Sequence, residues 1–312
     1  MPKFSELRRV LIALPMVLLA ACGRGPTARI DAITPIRAVA TVGMVADIVK
    51  NIGGDRVAVT TLMGPGVDPH LYKPSLGDVR ALDQSDVIFF GGLHLEGRMV
   101  ELFEKMNASG YRTIEVSAQI DPALLRKPAE FEGSYDPHIW FDVTLWQRAA
   151  DRVEAALIEL DPASRELYAS NADAYQARLD ALHAYVEREA AKIPAQSRVL
   201  ITAHDAFGYF GARYGFDVRG IQGSSTATEA SASDVRELAQ FIADRKIKAI
   251  FVESSVPAGT VQAVRAAVRA RGWDVTVGGE LFADAMGAAG TPEGTYEGMV
   301  RHNIDTIVGA LR

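Results

Sequence analysis

The sequence predicts an α/β protein of two lobes, each a roughly four-stranded parallel sheet flanked by helices, joined by one long backbone helix. Three observations carry this. With 312 residues and 48% hydrophobic content, the chain can bury two cores and is long for one ordinary domain. Short β-rich runs alternate with helical patterns, four on each side of the middle, which is the pattern of parallel sheets. Between the two groups, the stretch from Pro162 to Ile193 reads as a single amphipathic helix.

The strands of the first half are expected near Arg37 to Thr41, Val57 to Leu62, Asp86 to Phe90 and Arg112 to Val116. Those of the second half fall near Arg198 to Thr202, Phe216 to Ile221, Lys248 to Glu253 and Trp273 to Val277. For the central helix, Asp161 is the expected N-cap with Pro162 at the first helical position, and Pro194 stops the run. Tyr168, Ala172, Tyr175, Leu179, Leu182, Val186 and Ile193 share one stripe, and the helix would be roughly 45 to 50 Å long, enough to run along both lobes. The division that follows is an N-terminal lobe at 36–161, a linking helix at 162–193 and a C-terminal lobe at 194–312. A rigid connector between two lobes implies a cleft.

The N-terminus reads as an export signal over residues 1–21, with Lys3, Arg8 and Arg9 ahead of an apolar run from Val10 to Ala21 that is too short to span a bilayer. It ends in Leu19-Ala20-Ala21-Cys22, similar to a lipobox, which makes Cys22 the expected site of lipidation and 22–35 a tether. Cys22 is the sole cysteine. No intrachain disulfide, thiolate catalysis or thiolate metal ligation is therefore expected in the mature fold. The formal charge of −6 argues against nucleic acid as a partner and suits a cation.

In open parallel sheets, ligands sit beyond the carboxyl ends of the strands. Four candidates fall there: His70 in Gly64-Pro65-Gly66-Val67-Asp68-Pro69-His70, His138 in Asp136-Pro137-His138, His204 at the end of Val199-Leu200-Ile201-Thr202-Ala203-His204, and Asp284 in Leu281-Phe282-Ala283-Asp284. Three imidazoles and a carboxylate make a complete donor set for a divalent transition metal. Their spacing matches no local metal motif, so each is also readable as a hydrogen-bonding loop residue. His94 could line the cleft, whereas His183 and His302 read as solvated helix residues. Asp68, Asp136, Asp142, Asp205 and Glu253 are neighbouring carboxylates that could accept from ligand rings, and of these Asp205 and Glu253 are the favoured partners. Asp68 and Asp136 precede prolines and read as turn formers, and Asp205 could instead cap a helix starting at Ala206.

These residues resemble the metal-binding solute-binding lipoproteins of bacterial manganese and zinc ABC importers, the TroA-like group. The resemblance spans nearly the whole mature chain: Asp68-Pro69-His70 with Pro74-Ser75 and Asp78, Gly92-Leu93-His94-Leu95-Glu96, Asp136-Pro137-His138 with Trp140, Ala203-His204-Asp205-Ala206-Phe207-Gly208-Tyr209, Phe251-Val252-Glu253-Ser254 and Leu281-Phe282-Ala283-Asp284. It implies the TroA-like periplasmic binding protein fold, ligation by His70, His138, His204 and Asp284, and no catalysis. It also implies delivery of zinc or manganese to an ABC permease and its ATPase by a monomer lipid-anchored outside the cytoplasmic membrane. Zinc-dedicated relatives commonly carry a His-rich loop before the second ligand, and Asp121 to Tyr135 contains no histidine. The loop thus points toward manganese and the three imidazoles toward zinc. An extracytoplasmic metallohydrolase and a surface adhesin on the same fold are the alternatives.

Overall fold

The computed structural model of the chain describes residues 34–128 and 133–312; the expected signal peptide, Cys22 and the tether up to residue 33 lie outside the described residues. No helix among the described residues is long and apolar enough to cross a membrane.

The first half folds as a four-stranded parallel sheet of β1 (Ile36–Ala40), β2 (Val57–Thr61), β3 (Val87–Phe90) and β4 (Thr113–Glu115), in the order β2-β1-β3-β4. The central strands β1 and β3 are nearly continuous apolar runs because helices cover both faces. Their crossovers are α1 (Gly43–Gly53), α2 (Leu76–Gln84) and α3 (Met99–Ala108). Ser75 and Asp78 form a reciprocal capping box that starts α2 just after the loop carrying His70.

Helix α4 (Val143–Leu160), N-capped by the Asp142 carboxylate, leads into the connector. The connector differs from the single 162–193 helix expected. Pro162–Ser164 form a 3-10 turn, and the α-helix α5 runs from Arg165–Ala190, 26 residues, about 39 Å at the usual rise. The cause lies in Asp161, whose carboxylate accepts hydrogen bonds from Arg56, Ser164 and Tyr168 instead of capping backbone N–H groups. Within the helix, the expected stripe from Tyr168 to Val186 is buried, against α1, α4 and α9 (Tyr296–Leu311).

The second half contains β5 (Val199–His204), α6 (Gly208–Tyr214), β6 (Asp217–Gln222), α7 (Ala232–Arg245), β7 (Ala249–Glu253), α8 (Gly259–Arg269) and β8 (Thr276–Leu281). Its strands lie as β6-β5 beside β7-β8, the same order as in the first half. Here, however, they form two parallel ladders rather than one continuous four-stranded ladder. At the tips of the inner strands a side chain stands in for the backbone: the His204 N–H donates to the Glu253 carboxylate, 3.0 Å away. A register shift between Ile250 and Val252 adds a residue to β8. β8 thus starts at Thr276 and ends at Leu281, both later than the expected Trp273 to Val277, with Asp284 three residues past its end.

Alternation along β5 splits two cores. Val199, Ile201 and Ala203 join a smaller cluster under α7 and α8, while Leu200 belongs to the main cluster. That main cluster runs from the first sheet through α5 and α9 into Phe207, Phe251 and Leu281, so the halves share their largest apolar core.

Candidate metal centre

Four side chains converge between the lobes: His70 and His138 from loops of the first half, His204 from the end of β5 and Asp284 from just past β8. His70, His138, His204 and Asp284 are 8%, 0%, 0% and 1% exposed, and each offers a donor atom within 4.8 Å of the others. The Nε2 atoms of His138 and His204 are 3.4 Å apart, and each is 3.3 Å from an Asp284 oxygen; His70 Nε2 is 3.5 Å from that carboxylate. Ligands placed about 2.0 to 2.1 Å from a tetrahedral ion sit roughly 3.3 to 3.4 Å from one another, so the separations among His138, His204 and Asp284 are those of ligands to one cation, and His70 lies close enough to join them.

Polar satisfaction points the same way. His70 Nε2 and both Asp284 oxygens are buried without a hydrogen-bond partner. A buried carboxylate in that state is costly unless a cation meets it.

Each site residue is held by its surroundings. Asp68-Pro69-His70 and Asp136-Pro137-His138 form the same local turn, in which the Asp Oδ1 accepts the His backbone N–H at 2.8 and 3.0 Å. Asp136 Oδ1 also lies 2.8 Å from His138 Nδ1, and Glu253 Oε2 lies 2.5 Å from His204 Nδ1. A carboxylate on Nδ1 leaves the Nε2 lone pair for a metal and makes it a stronger donor. On the other side, the Asn303 amide of α9 brackets Phe282 through both its backbone N–H and its carbonyl. Trp140 Nε1 donates to the Ala283 carbonyl at 3.1 Å, and Tyr296 Oη donates to the Trp140 carbonyl at 2.7 Å. The Asp284 loop is thus pinned from both lobes.

Electrostatics follow from this shell. Burial pushes the His138 pKa down, but Asp136 and Asp284 outweigh it and raise it to about 9. For His204 burial is likewise overcome, by Glu253 and Asp284, and its pKa is raised well above the ordinary range. Burial favours the neutral form of Asp284, yet His204, His138 and His70 hold its pKa well below that of an ordinary carboxylate. Arg126, 3.5 Å from Asp136 and bonded through Nη1 to the Gly208 carbonyl, offsets part of the negative charge.

The remaining sequence candidates divide between the site and its surroundings. Glu253 is placed against a ring as expected. Asp205 is not the cap of a helix at Ala206, because α6 starts at Gly208 with no side-chain cap; its backbone N–H meets the Gln222 and Gly223 carbonyls. His94 is exposed, with a left-handed backbone at φ 66°, and lies outside the cluster. His183 and His302 are half-buried rather than simply solvated, with Nδ1 of the former 3.1 Å from Tyr214 Oη and Nε2 of the latter 3.0 Å from the Glu280 carbonyl. Sequence reasoning weighed Asp136 among the ring partners but favoured Asp205 and Glu253, and it did not single out Asn303 or Arg126 as site residues. Only Asp136 had a readable signal, the repeated Asp-Pro-His.

A family profile described as zinc-uptake complex component A, periplasmic, matches residues 38–310. The chain belongs to this ZnuA family. Among relatives, the zinc-binding protein TroA of Treponema pallidum is 54% identical over 273 residues, covering 88% of each chain. The manganese-binding lipoprotein MntA of Bacillus subtilis is 44% identical over 297 residues, covering 94% of this chain and 95% of the relative. The solved structure of the T. pallidum TroA superposes with a TM-score of 0.87 at 53% identity, covering 89% of this chain and 99% of that one. Two relatives, at 54% and 44% identity, thus carry names for different metals.

Proposed function

We propose that this ZnuA-family protein captures one divalent ion, zinc or manganese, with His70, His138, His204 and Asp284 and delivers it to the membrane permease of an ABC importer driven by a separate ATPase. In this reading the chain works as a monomer outside the cytoplasmic membrane, anchored through acylated Cys22, and catalyses no reaction. Its parts are the lobes at 36–161 and 194–312 and the linker at 162–193. The observation that carries it is the convergence of four buried ligand-type side chains from opposite halves of the chain, among them Asp284, neither of whose oxygens has a hydrogen-bond partner. A metallohydrolase needs an open coordination position and a free general base. Here the two nearby buried carboxylates, Asp136 and Glu253, are committed to ring nitrogens. The comparisons lend no support to that alternative or to the adhesin.

The test is titration of metal-stripped protein with zinc and manganese, paired with uptake of labelled metal by cells lacking the gene and complemented with variants. One ion per chain should bind, and His70→Ala, His138→Ala and His204→Ala should each lower affinity by orders of magnitude and abolish restored uptake. Tight binding that survives all three substitutions would sink the assignment.

A further inference from the structure

The four metal-site residues are not held alike. On the His138 and Asp284 side, the lobes are joined by Trp140 to Ala283, by Tyr209 Oη to the Asp136 carbonyl, and by the stack of Phe141 on Phe207 at 4.1 Å. His70 has the highest exposure of the four and hangs from the loop Gly64-Pro65-Gly66-Val67-Asp68-Pro69, in which Gly66 adopts a left-handed φ of 71°. This loop lies over the opposite lobe, where the position of a Gly66 Cβ would be 3.4 Å from the Ser254 carbonyl. Across the same seam, Thr226 Oγ1 donates to Asp68 Oδ2 at 2.5 Å, while Asp68 Oδ1 holds the His70 backbone N–H. One carboxylate therefore ties the His70 backbone to the other lobe. In the same C-lobe loops the hydroxyls of Ser224, Ser254 and Ser255 are buried with no hydrogen-bond partner. Burying them unpaired opposes closure, since an opened seam would hydrate them. A charge-assisted bond pulls the other way.

We propose that Thr226 is a positioning residue that latches the His70 loop across the cleft through Asp68, and that the metal enters and leaves past His70. The proposal rests on the reading that His70, His138, His204 and Asp284 bind metal. Thr226 touches no ligand atom. Its effect falls on how long His70 stays engaged, so it should act on the dissociation rate more than on the capacity of the site.

The experiment is stopped-flow release of zinc into excess chelator from the full-length wild type and from Thr226→Val, Thr226→Ala and Thr226→Ser. Val keeps the shape without the donor, Ala guards against a packing fault of Val, and Ser restores the hydroxyl. Val and Ala should speed release roughly tenfold to a hundredfold, the scale of losing a hydrogen bond to a charged group. Ser should return the rate to near wild type, with the thermal midpoints of all metal-free forms alike. In an Asp68→Ala background, Thr226→Val should add nothing. A Val rate within about twofold of wild type, Ser as fast as Val, or additive effects of the two sites would overturn the latch. Wild-type protein that binds no stoichiometric metal would instead overturn the reading of the site, and the latch with it.

Discussion

Loading the site with metal should expel protons, and their number follows from the buried charge. Asp136, Glu253 and Asp284 are 0%, 3% and 1% exposed, and Arg126 lies beside Asp136. These groups sum to −2, which either a divalent ion or two imidazolium protons can neutralise. In the metal-free protein the His138 pKa stands at about 9 and that of His204 well above the ordinary range, so near pH 7.5 protons occupy the lone pairs that a metal needs. Charge balance gives about two protons released per ion. The 3.4 Å between the two Nε2 atoms disfavours full double protonation, which sets the expected value between one and two.

The sign of the pH dependence is set by the same shifts. A raised His138 pKa stabilises the metal-free fold fully below the unfolded value near 6.5, and that stabilisation is lost as pH rises through about 9. The swing is about 3 kcal/mol. Metal affinity runs the opposite way over this window, rising up to about tenfold per pH unit for each proton displaced. Calorimetric titration of zinc at pH 7.5 in buffers of different ionisation enthalpy reads the proton count directly, and thermal unfolding of metal-free protein from pH 6 to 10 reads the other half. An observed enthalpy that does not depend on the buffer, or metal-free protein that gains stability from pH 7 to 9, would refute the charge argument.

Three further outcomes are expected. Glu253→Gln and Asp136→Asn should each weaken zinc binding about 10- to 100-fold with the fold retained, as measured by chelator competition; unchanged affinity would mean that these carboxylates do not tune the rings. Zinc should displace manganese at equal concentration in equilibrium competition, because three imidazoles favour metals later in the divalent series. The reverse order would show that coordination geometry overrides ligand type here. Cys22→Ser should leave the protein soluble or uncleaved, and labelled acyl chain on that variant would refute the anchor.

Much of this was readable in the sequence because local chemistry and topology agree. Strand composition located all eight strands to within a few residues, and the three-and-four stripe from Tyr168 to Val186 located the connector. The candidate cluster was partly readable because His204 ends β5 and Asp284 follows β8 closely, while His70 and His138 stand in longer loops after β2 and β4. What escaped depends on partners far away in sequence. The start of α5 was displaced because Asp161 is claimed by Arg56, 105 residues earlier. β8 starts and ends later than expected, in a bulged register that only its pairing with β7 defines. The C-lobe sheet is split because β5 and β7 lie side by side without a backbone ladder, a feature that strand composition does not encode.

Asp136 and Asp205 show where a local rule stops being informative. Both follow or precede a candidate ligand closely, and both have a ready local explanation as turn or cap. Asp136 forms its turn and meets the ring as well, since the Asx turn aims Oδ1 at the backbone N–H and Nδ1 of the same histidine. His204 leaves a strand rather than a turn, and its adjacent Asp205 follows it instead of preceding it by two residues as Asp136 precedes His138. Its ring partner comes instead from the neighbouring strand, 49 residues on, as Glu253. The two orienting carboxylates thus reach the same chemistry by different routes. A histidine presented by a turn can carry its partner within three residues, and one presented by a strand must borrow it across the sheet.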